Sequence, residues 1–363
     1  MRIATELQLH RAILKVADGD EKEYLRARIY YLVYVCDHHF SIAYGRPPLT
    51  GEYEAVKSTS RFLESAHTVE DDARLISQVI IWSTTSQVFE TFGTDSSRPT
   101  PTSMISQVRR FNIALDTWRA DWNDRFSRNN HVGNYPQKGV ALHYYFAKLY
   151  LCSHAFRGIS NSSTTFRMSQ ELVEIAEVAL ASATYILRAI NTDSELQSYL
   201  NGLPLYFDTM IAFAAVFLLK ISTEYLGIIQ VDTAKTLSLV RQNVLILEEI
   251  GKKMKPEHIL IRIGDGIRTL VERCRVAADQ PSSEHKELDP VNADIKSTQA
   301  NVVNFPVEDY MAWTQGGFAG LELECYDLLE PSTQNMYPIS EQTWLADSAF
   351  QQNFLQPWNI VME

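Results

Sequence analysis

"MISQVRRFNIALDTWRADWNDRF", residues Met104 to Phe126, is the stretch whose reading decides the fold. Met104, Val108, Phe111, Leu115, Trp118, Trp122 and Phe126 recur at steps of three or four, with Arg, Asn and Asp between them. At 3.6 residues per turn that spacing gathers the apolar side chains on one helical face, whereas a strand would need strict alternation. Working outward, the same period predicts helices over roughly 4–17, 23–43, 70–91, 138–157, 169–190, 204–221, 232–251 and 256–277. Asp232 and Thr233 suit a helix start, Pro204 suits a first turn, and Asp71 and Asp72 suit a helix N-terminus. "GTDSSRPTPTS" (93–103) and "GISNSSTTFRM" (158–168) are rich in Gly, Ser, Thr and Pro and read as surface loops. No alternating pattern of useful length and no fixed repeat appears, so the expected fold class is all-α, a multi-helix body.

Of the 363 residues, 45% are hydrophobic and 21% charged, enough apolar material for one large core or two modest ones. The formal charge is −11. Residues 281–363 hold 13 acidic and 2 basic side chains, and the preceding 280 residues hold 31 of each. A neutral body has no basic field to draw it to nucleic acid, and an acidic end repels phosphates. The longest apolar run, Met210–Leu219, lies between Asp208 and Lys220 and is half of what a membrane span needs, so it reads as a buried helix with no membrane partner. The N-terminal "MRIATELQLHRAILKV" lacks the apolar run of a secretory signal.

Candidate chemistry is sparse. Cys36, Cys152, Cys274 and Cys325 are widely separated, without the C-x-x-C spacing of a zinc site or the density of a disulfide framework. In "YVCDHHFSIAYGRPPLT" (34–50), Cys36, Asp37, His38 and His39 are consecutive, so on a helix they point around more than a full turn and cannot converge on one ion. The scaffold reading fits better: Ile29, Leu32, Val33 and Cys36 are expected as a buried stripe, with Asp37 beside it in reach of Arg46 or Arg28. Gly45 is expected to end the helix at positive φ, and Pro47 and Pro48 to forbid its continuation. His143 and His154 sit among Tyr and Phe and read as core histidines. "GDGIRTL" (264–270) lacks the third glycine of a nucleotide loop, and no nucleophile-elbow, Walker or kinase motif is present. No catalytic residue, metal ligand or cofactor follows, and the expectation is a protein that is not an enzyme.

Beyond about residue 277 the character changes. Residues 278–304 are polar, lack aromatics and read as a linker. Residues 305–363 carry nine Asp or Glu, ten aromatic residues and no Lys or Arg. Like charge keeps large hydrophobes solvated and apart while leaving them available to a partner groove, so this tail is expected to be largely disordered. Phe318, Leu321, Leu323, Tyr326 and Leu328 can form short amphipathic turns that fold on binding. With Trp313, Trp344, Phe350, Phe354 and Trp358 they are the candidate coactivator contacts. The alternative is that some of these aromatics pack back onto the helical body.

"RARIYYLVYVCDHHFSIAYGRPPLT" (26–50) resembles the signature of the fungal-specific transcription factor domain, the all-α middle homology region of fungal zinc-cluster transcription factors. The residues that carry the likeness are Arg28, Tyr30, Tyr31, Asp37, Gly45, Arg46 and Pro47, and "ELQLHRAI" before them is similar to the family's preceding helix. The likeness continues more loosely to about residue 277. With "WRADWNDRF", "HVGNYPQKG" and "YLNGLPLYFDTMIAFAAVFLLK" it looks closest to the activators of secreted proteases of filamentous fungi, and more distantly to the leucine-biosynthesis regulators. Family members grip DNA through an N-terminal binuclear zinc cluster of six cysteines, and no such cysteine run occurs here. The resemblance therefore carries neither zinc nor DNA contacts onto any residue. It implies an N-terminally incomplete regulatory domain (1–277) acting in the nucleus on RNA polymerase II genes, those of secreted proteases or of nitrogen and nutrient use among them. The implied partners are transcriptional coactivators and a full-length zinc-cluster factor or a second copy of the chain, with DNA reached only indirectly or through a further domain. A helical ligand-sensing or scaffolding module, or a competitor of a full-length factor, is the alternative.

Overall fold

In the computed structural model the period of Met104–Phe126 becomes one helix, and its neighbours follow the same rule. The structure describes residues 2–16, 18–43, 47–93, 99–158, 168–223, 229–256 and 258–279. Of the linker expected over 278–304, residues 278 and 279 instead end the last helix, and the rest, with the acidic tail, lies outside the described residues. The described helices, in chain order, are α1 (Arg2–Glu6), α2 (Ile13–Val16), α3 (Glu21–Ala43), α4 (Glu54–Lys57), α5 (Thr59–Leu63), α6 (Glu70–Phe92) and α7 (Ile105–Asn123). They continue as α8 (Tyr135–Ser153), α9 (Gln170–Thr192), α10 (Ser194–Tyr199), α11 (Leu205–Thr223), α12 (Thr233–Gly251) and α13 (Ile259–Asp279). Short 3-10 turns join several of them, and no strand occurs among the described residues. The fold is all-α.

Local chemistry sets the helix ends. Ser169, Asp193 and Asp232 accept the backbone N–H of Leu172, Leu196 and Lys235, at 3.4, 3.0 and 3.0 Å, satisfying donors that α9, α10 and α12 would otherwise leave bare. The helix expected over 4–17 is instead broken into α1, a 3-10 turn and α2, with Gln8 at φ +54 as the break. The expectation also missed α4, α5 and α10, because four to six residues are too few to display a period.

Burial follows the pattern. Ile105, Val108, Phe111, Leu115, Trp118 and Trp122 form the inward face of α7, and the Trp118 indole N–H donates to the Ser77 carbonyl of α6 at 2.8 Å. Helix α8 lies between α7 and α9, with α6 also against it, and α12 and α13 pair at the far end. Helix α11 crosses the middle, touching α3, α9, α12 and α13. Among the described residues it is the helix long and apolar enough to cross a membrane, yet sixteen of its nineteen residues are buried, so it is the central strut of the core.

Helix α3 departs from expectation. The stripe Ile29, Leu32, Val33 and Cys36 is not its buried face: Ile29 is 41% exposed, Cys36 is exposed, and Leu32 and Val33 are half-buried. Tyr24, Ala27, Tyr31, Tyr34, Val35 and His38 face inward instead, with Tyr30 and Asp37 alongside, and Leu32 and Val33 pack on the edge of the core. Tyrosine hides a large ring while its hydroxyl reaches a buried acceptor, and this segment supplies such acceptors in a row.

The pairing of α3 with α6 rests on Asp72, which is fully buried. One oxygen meets Arg28 Nε at 2.9 Å, and the other accepts the Val69 N–H at 2.8 Å and the Tyr24 hydroxyl. The carboxylate thus caps α6 and ties it to α3 at once. Removing one member of a buried pair strands the other, at about 3–5 kcal/mol. Asp72→Ala is expected to lower the unfolding free energy by that amount in urea titrations. Glu6→Ala, which breaks a pair whose side chains are 89% and 63% exposed, is expected to cost less than about 1 kcal/mol.

Candidate functional site

The motif residues of α3 act on the segment that follows the helix. Asp37 is buried, and its Oδ2 accepts the backbone N–H of Leu49 and of Thr50, both at 2.7 Å, and the Thr50 hydroxyl at 2.8 Å. One turn back, the Tyr34 hydroxyl donates to Glu52 at 2.6 Å. The Tyr30 hydroxyl donates to the Gly51 carbonyl at 3.2 Å and the Tyr31 hydroxyl to the Ala55 carbonyl at 2.7 Å. Residues 49–55 are therefore laced back along α3 by a ladder of side chains at 30, 31, 34 and 37. Burial beside the Glu52 carboxylate pushes the Tyr34 hydroxyl far above its ordinary pKa, so it stays a donor at any physiological pH.

The expected link from Arg28 to Asp37 is replaced by the pair with Asp72, because nine residues of helix set Arg28 and Asp37 about 13 Å apart along the axis. Gly45 and Arg46 lie outside the described residues, so their expected roles do too. Pro47 is exposed, at the start of the laced segment. Trp313, Phe318, Leu321, Leu323, Tyr326, Leu328, Trp344, Phe350, Phe354 and Trp358 also lie outside the described residues.

The two histidines of the motif serve different helices. His38 bonds the Tyr34 carbonyl through Nδ1 and the Ser86 hydroxyl of α6 through Nε2, each at 2.8 Å. Its Nδ1 partner is a carbonyl of its own helix, so the pair with Ser86 braces α3 on α6. His39 stacks on Tyr206 of α11, with ring centroids 3.7 Å apart, and meets Trp82 of α6 edge-on. His143 of α8 closes this aromatic knot through its bond to the Tyr206 hydroxyl. Four helices thus meet at one polar-aromatic centre.

Between the laced segment and α6 lies an open cleft of about 450 Å³, lined by Pro47–Glu52 and by Ser86, Phe89, Glu90 and Gly93. Both Glu52 oxygens already accept hydroxyls, from Tyr34 and from Ser83 at 2.8 Å. Among the described residues no group of His, Cys, Asp and Glu is arranged to hold a metal ion. Asp72, Thr50, Glu52 and Ser86 escaped the sequence reading as members of this site. Asp72 had a local signal only, as a helix start, and the others lie 13 to 48 positions from their α3 partners.

The signature residues thus brace the helices of an all-α body against one another. The chain belongs to the family described as the middle domain of the transcriptional activator of proteases prtT, whose model matches residues 6–274. It is 35% identical over 281 residues to the transcriptional activator of proteases prtT of Emericella nidulans, an alignment that takes in 75% of this chain and 42% of that protein. The chain thus spans less than half the length of the curated relative it matches. No solved structure matches it. The family is one of transcriptional activators and not an enzyme class.

Two measurements probe this region. Asp37→Ala is expected to cost about 2–4 kcal/mol, since it leaves two backbone donors and a hydroxyl without their charged acceptor. Limited proteolysis is then expected to cut at 47–55 first, whereas Pro47→Ala leaves that segment protected. Burial holds the His143 and His154 rings near pKa 3, against about 6.5 in the unfolded chain. The unfolded state therefore binds protons first: the stability contributed by the neutral rings is complete above about pH 6.5 and is lost as pH falls toward 3. Calorimetry from pH 7 to pH 4 is expected to show a falling melting temperature, with a shallower slope in His143→Gln.

Proposed function

We propose that this chain is the control and activation part of a fungal transcription regulator, a helical regulatory domain over residues 1–277 joined by a polar linker (278–304) to an acidic, aromatic activation segment (305–363). The observation that carries the reading is the match of residues 6–274 to the protease-activator middle domain. The relative's description as a transcriptional activator of proteases supports transcription of protease genes as the output; in our reading these are RNA polymerase II genes for secreted proteases or for nitrogen and nutrient use. The setting is then the nucleus. The neutral body and the acidic tail give this chain no grip on phosphates, so DNA is reached through a zinc-cluster segment, in the same polypeptide or in a full-length partner. No cofactor of its own is called for.

In this reading the tail recruits coactivators through its aromatic and leucine side chains, with spaced carboxylates keeping them soluble. Residues 305–363 fused to an unrelated DNA-binding domain are expected to drive a reporter. Replacing Trp313, Phe318, Leu321, Tyr326 and Leu328 with Ala is expected to abolish that activity without changing the melting temperature of the whole chain. An inert fusion, together with a lowered melting temperature for the substituted chain, would mean instead that the tail is packed structure and that the protein is a scaffold or ligand-sensing module.

A further inference from the structure

We propose that the cleft between residues 47–52 and α6 binds a small organic cation, a protonated amine or guanidinium carried on an apolar arm. Tail and cleft are separate parts of the chain, so this binding neither needs nor excludes activation by residues 305–363. The cleft, at about 450 Å³, has the size of a small-molecule site.

The hydrogen bonds already made around it decide what it can accept. Four of the lining side chains are polar, Thr50, Glu52, Ser86 and Glu90, and none has a donor to spare. The Thr50 hydroxyl is committed to Asp37, as are the N–H groups of Leu49 and Thr50. The Ser86 hydroxyl is committed to His38. Nδ1 of that ring faces the Tyr34 carbonyl, which can only accept, so Nδ1 carries the proton. Burial holds the ring neutral, which leaves Nε2 an acceptor, and Ser86 donates to it at 2.8 Å. The side chains of the cleft therefore have only lone pairs left, on Ser86 Oγ and on the two glutamates. Ammonium and guanidinium are the groups that donate without accepting, and they match such a wall. A carboxylate or phosphate finds no side chain there to donate to it.

Charge points the same way. Glu52 and Glu90 line the cleft, and no Lys, Arg or His does so among the described residues. Glu52 is half-buried, and its oxygens are fixed in place by the Tyr34 and Ser83 hydroxyls, at 2.6 and 2.8 Å, so a ligand does not have to order it on binding. Neutral hydroxyls orient this carboxylate without cancelling its charge. Glu90 stands exposed at the rim. Beside the two carboxylates, the half-buried Phe89 and Pro48 and the exposed Leu49 offer apolar surface for the arm, and the Phe89 ring can take a cation over its face.

The test uses the full 363-residue chain. Isothermal titration with benzylamine at neutral pH is expected to give a Kd of about 1 mM, the strength that a ligand of so few atoms reaches. Benzyl alcohol, its neutral counterpart, and phenylacetate, an anionic one, are expected to give no binding in that range. Glu52→Gln is expected to weaken benzylamine at least about tenfold, because a charge-assisted bond is lost. Glu90→Lys, which sets a like charge at the rim, is expected to weaken it about fivefold. Glu177→Gln, exposed on α9, is expected to leave it unchanged. Should Glu52→Gln fail to fold, Glu90→Lys at its exposed position gives the same readout with a smaller shift. No binding of benzylamine up to about 10 mM, equally tight binding of either other probe, or a Kd indifferent to the changes at Glu52 and Glu90 overturns the proposal.

Discussion

A buried carboxylate needs its full complement of partners, and Asp72 meets that demand in a way that fixes the first half of the molecule. Its oxygens take the Arg28 guanidinium, the Val69 amide and the Tyr24 hydroxyl, so the register of α3 against α6 is set where that carboxylate can be satisfied. Slide either helix by a turn and a charge is left bare in the core, at several kcal/mol. Everything further along α3 depends on this register. In that register His38 meets Ser86 of α6 and His39 stacks on Tyr206 of α11.

The same helix repeats the device at its other end. Asp37 gathers two backbone amides and a hydroxyl from a segment that forms no regular structure around Leu49 and Thr50, and so stands in for the hydrogen bonds those groups would otherwise seek. The family signature is thus a set of mechanical parts. Arg28 joins helix to helix, Tyr30, Tyr31 and Asp37 join helix to the returning chain, and Pro47 stands at the start of that return. The consequence for α3 is a partial inversion of the usual amphipathic plan, with hydroxyl-bearing rings inside beside Ala27 and Val35, and Leu25 and Ile29 exposed.

That inversion marks the limit of what the sequence could convey. The periods in Met104–Phe126 and in the residues of α6, α9, α11 and α12 were legible because aliphatic and indole side chains at steps of three and four have one good place to go. In α3 the stripe Ile29, Leu32, Val33 and Cys36 has similar spacing, yet Ile29 and Cys36 are exposed and Leu32 and Val33 only half-buried. Hydropathy ranks isoleucine above tyrosine, but it does not know that Gly51, Glu52 and Ala55 will lie within reach of tyrosine hydroxyls. Long-range partners decide such a face, and Arg28 and Asp72 stand 44 positions apart. Likewise His143 was readable as a core histidine from its aromatic neighbours, while the knot it forms with His39, Trp82 and Tyr206 needs four helices to be placed first.

The buried histidines tie the stability of the body to pH. Protonating the buried His143 and His154 rings favours the unfolded chain. That loss of stability sets in as pH falls below about 6.5 and acts through α8 and the turn that follows it, which carry the two rings. Helix α3, which carries the fold's polar bracing on one side, has little freedom to vary there, and its opposite side is where change costs the fold least.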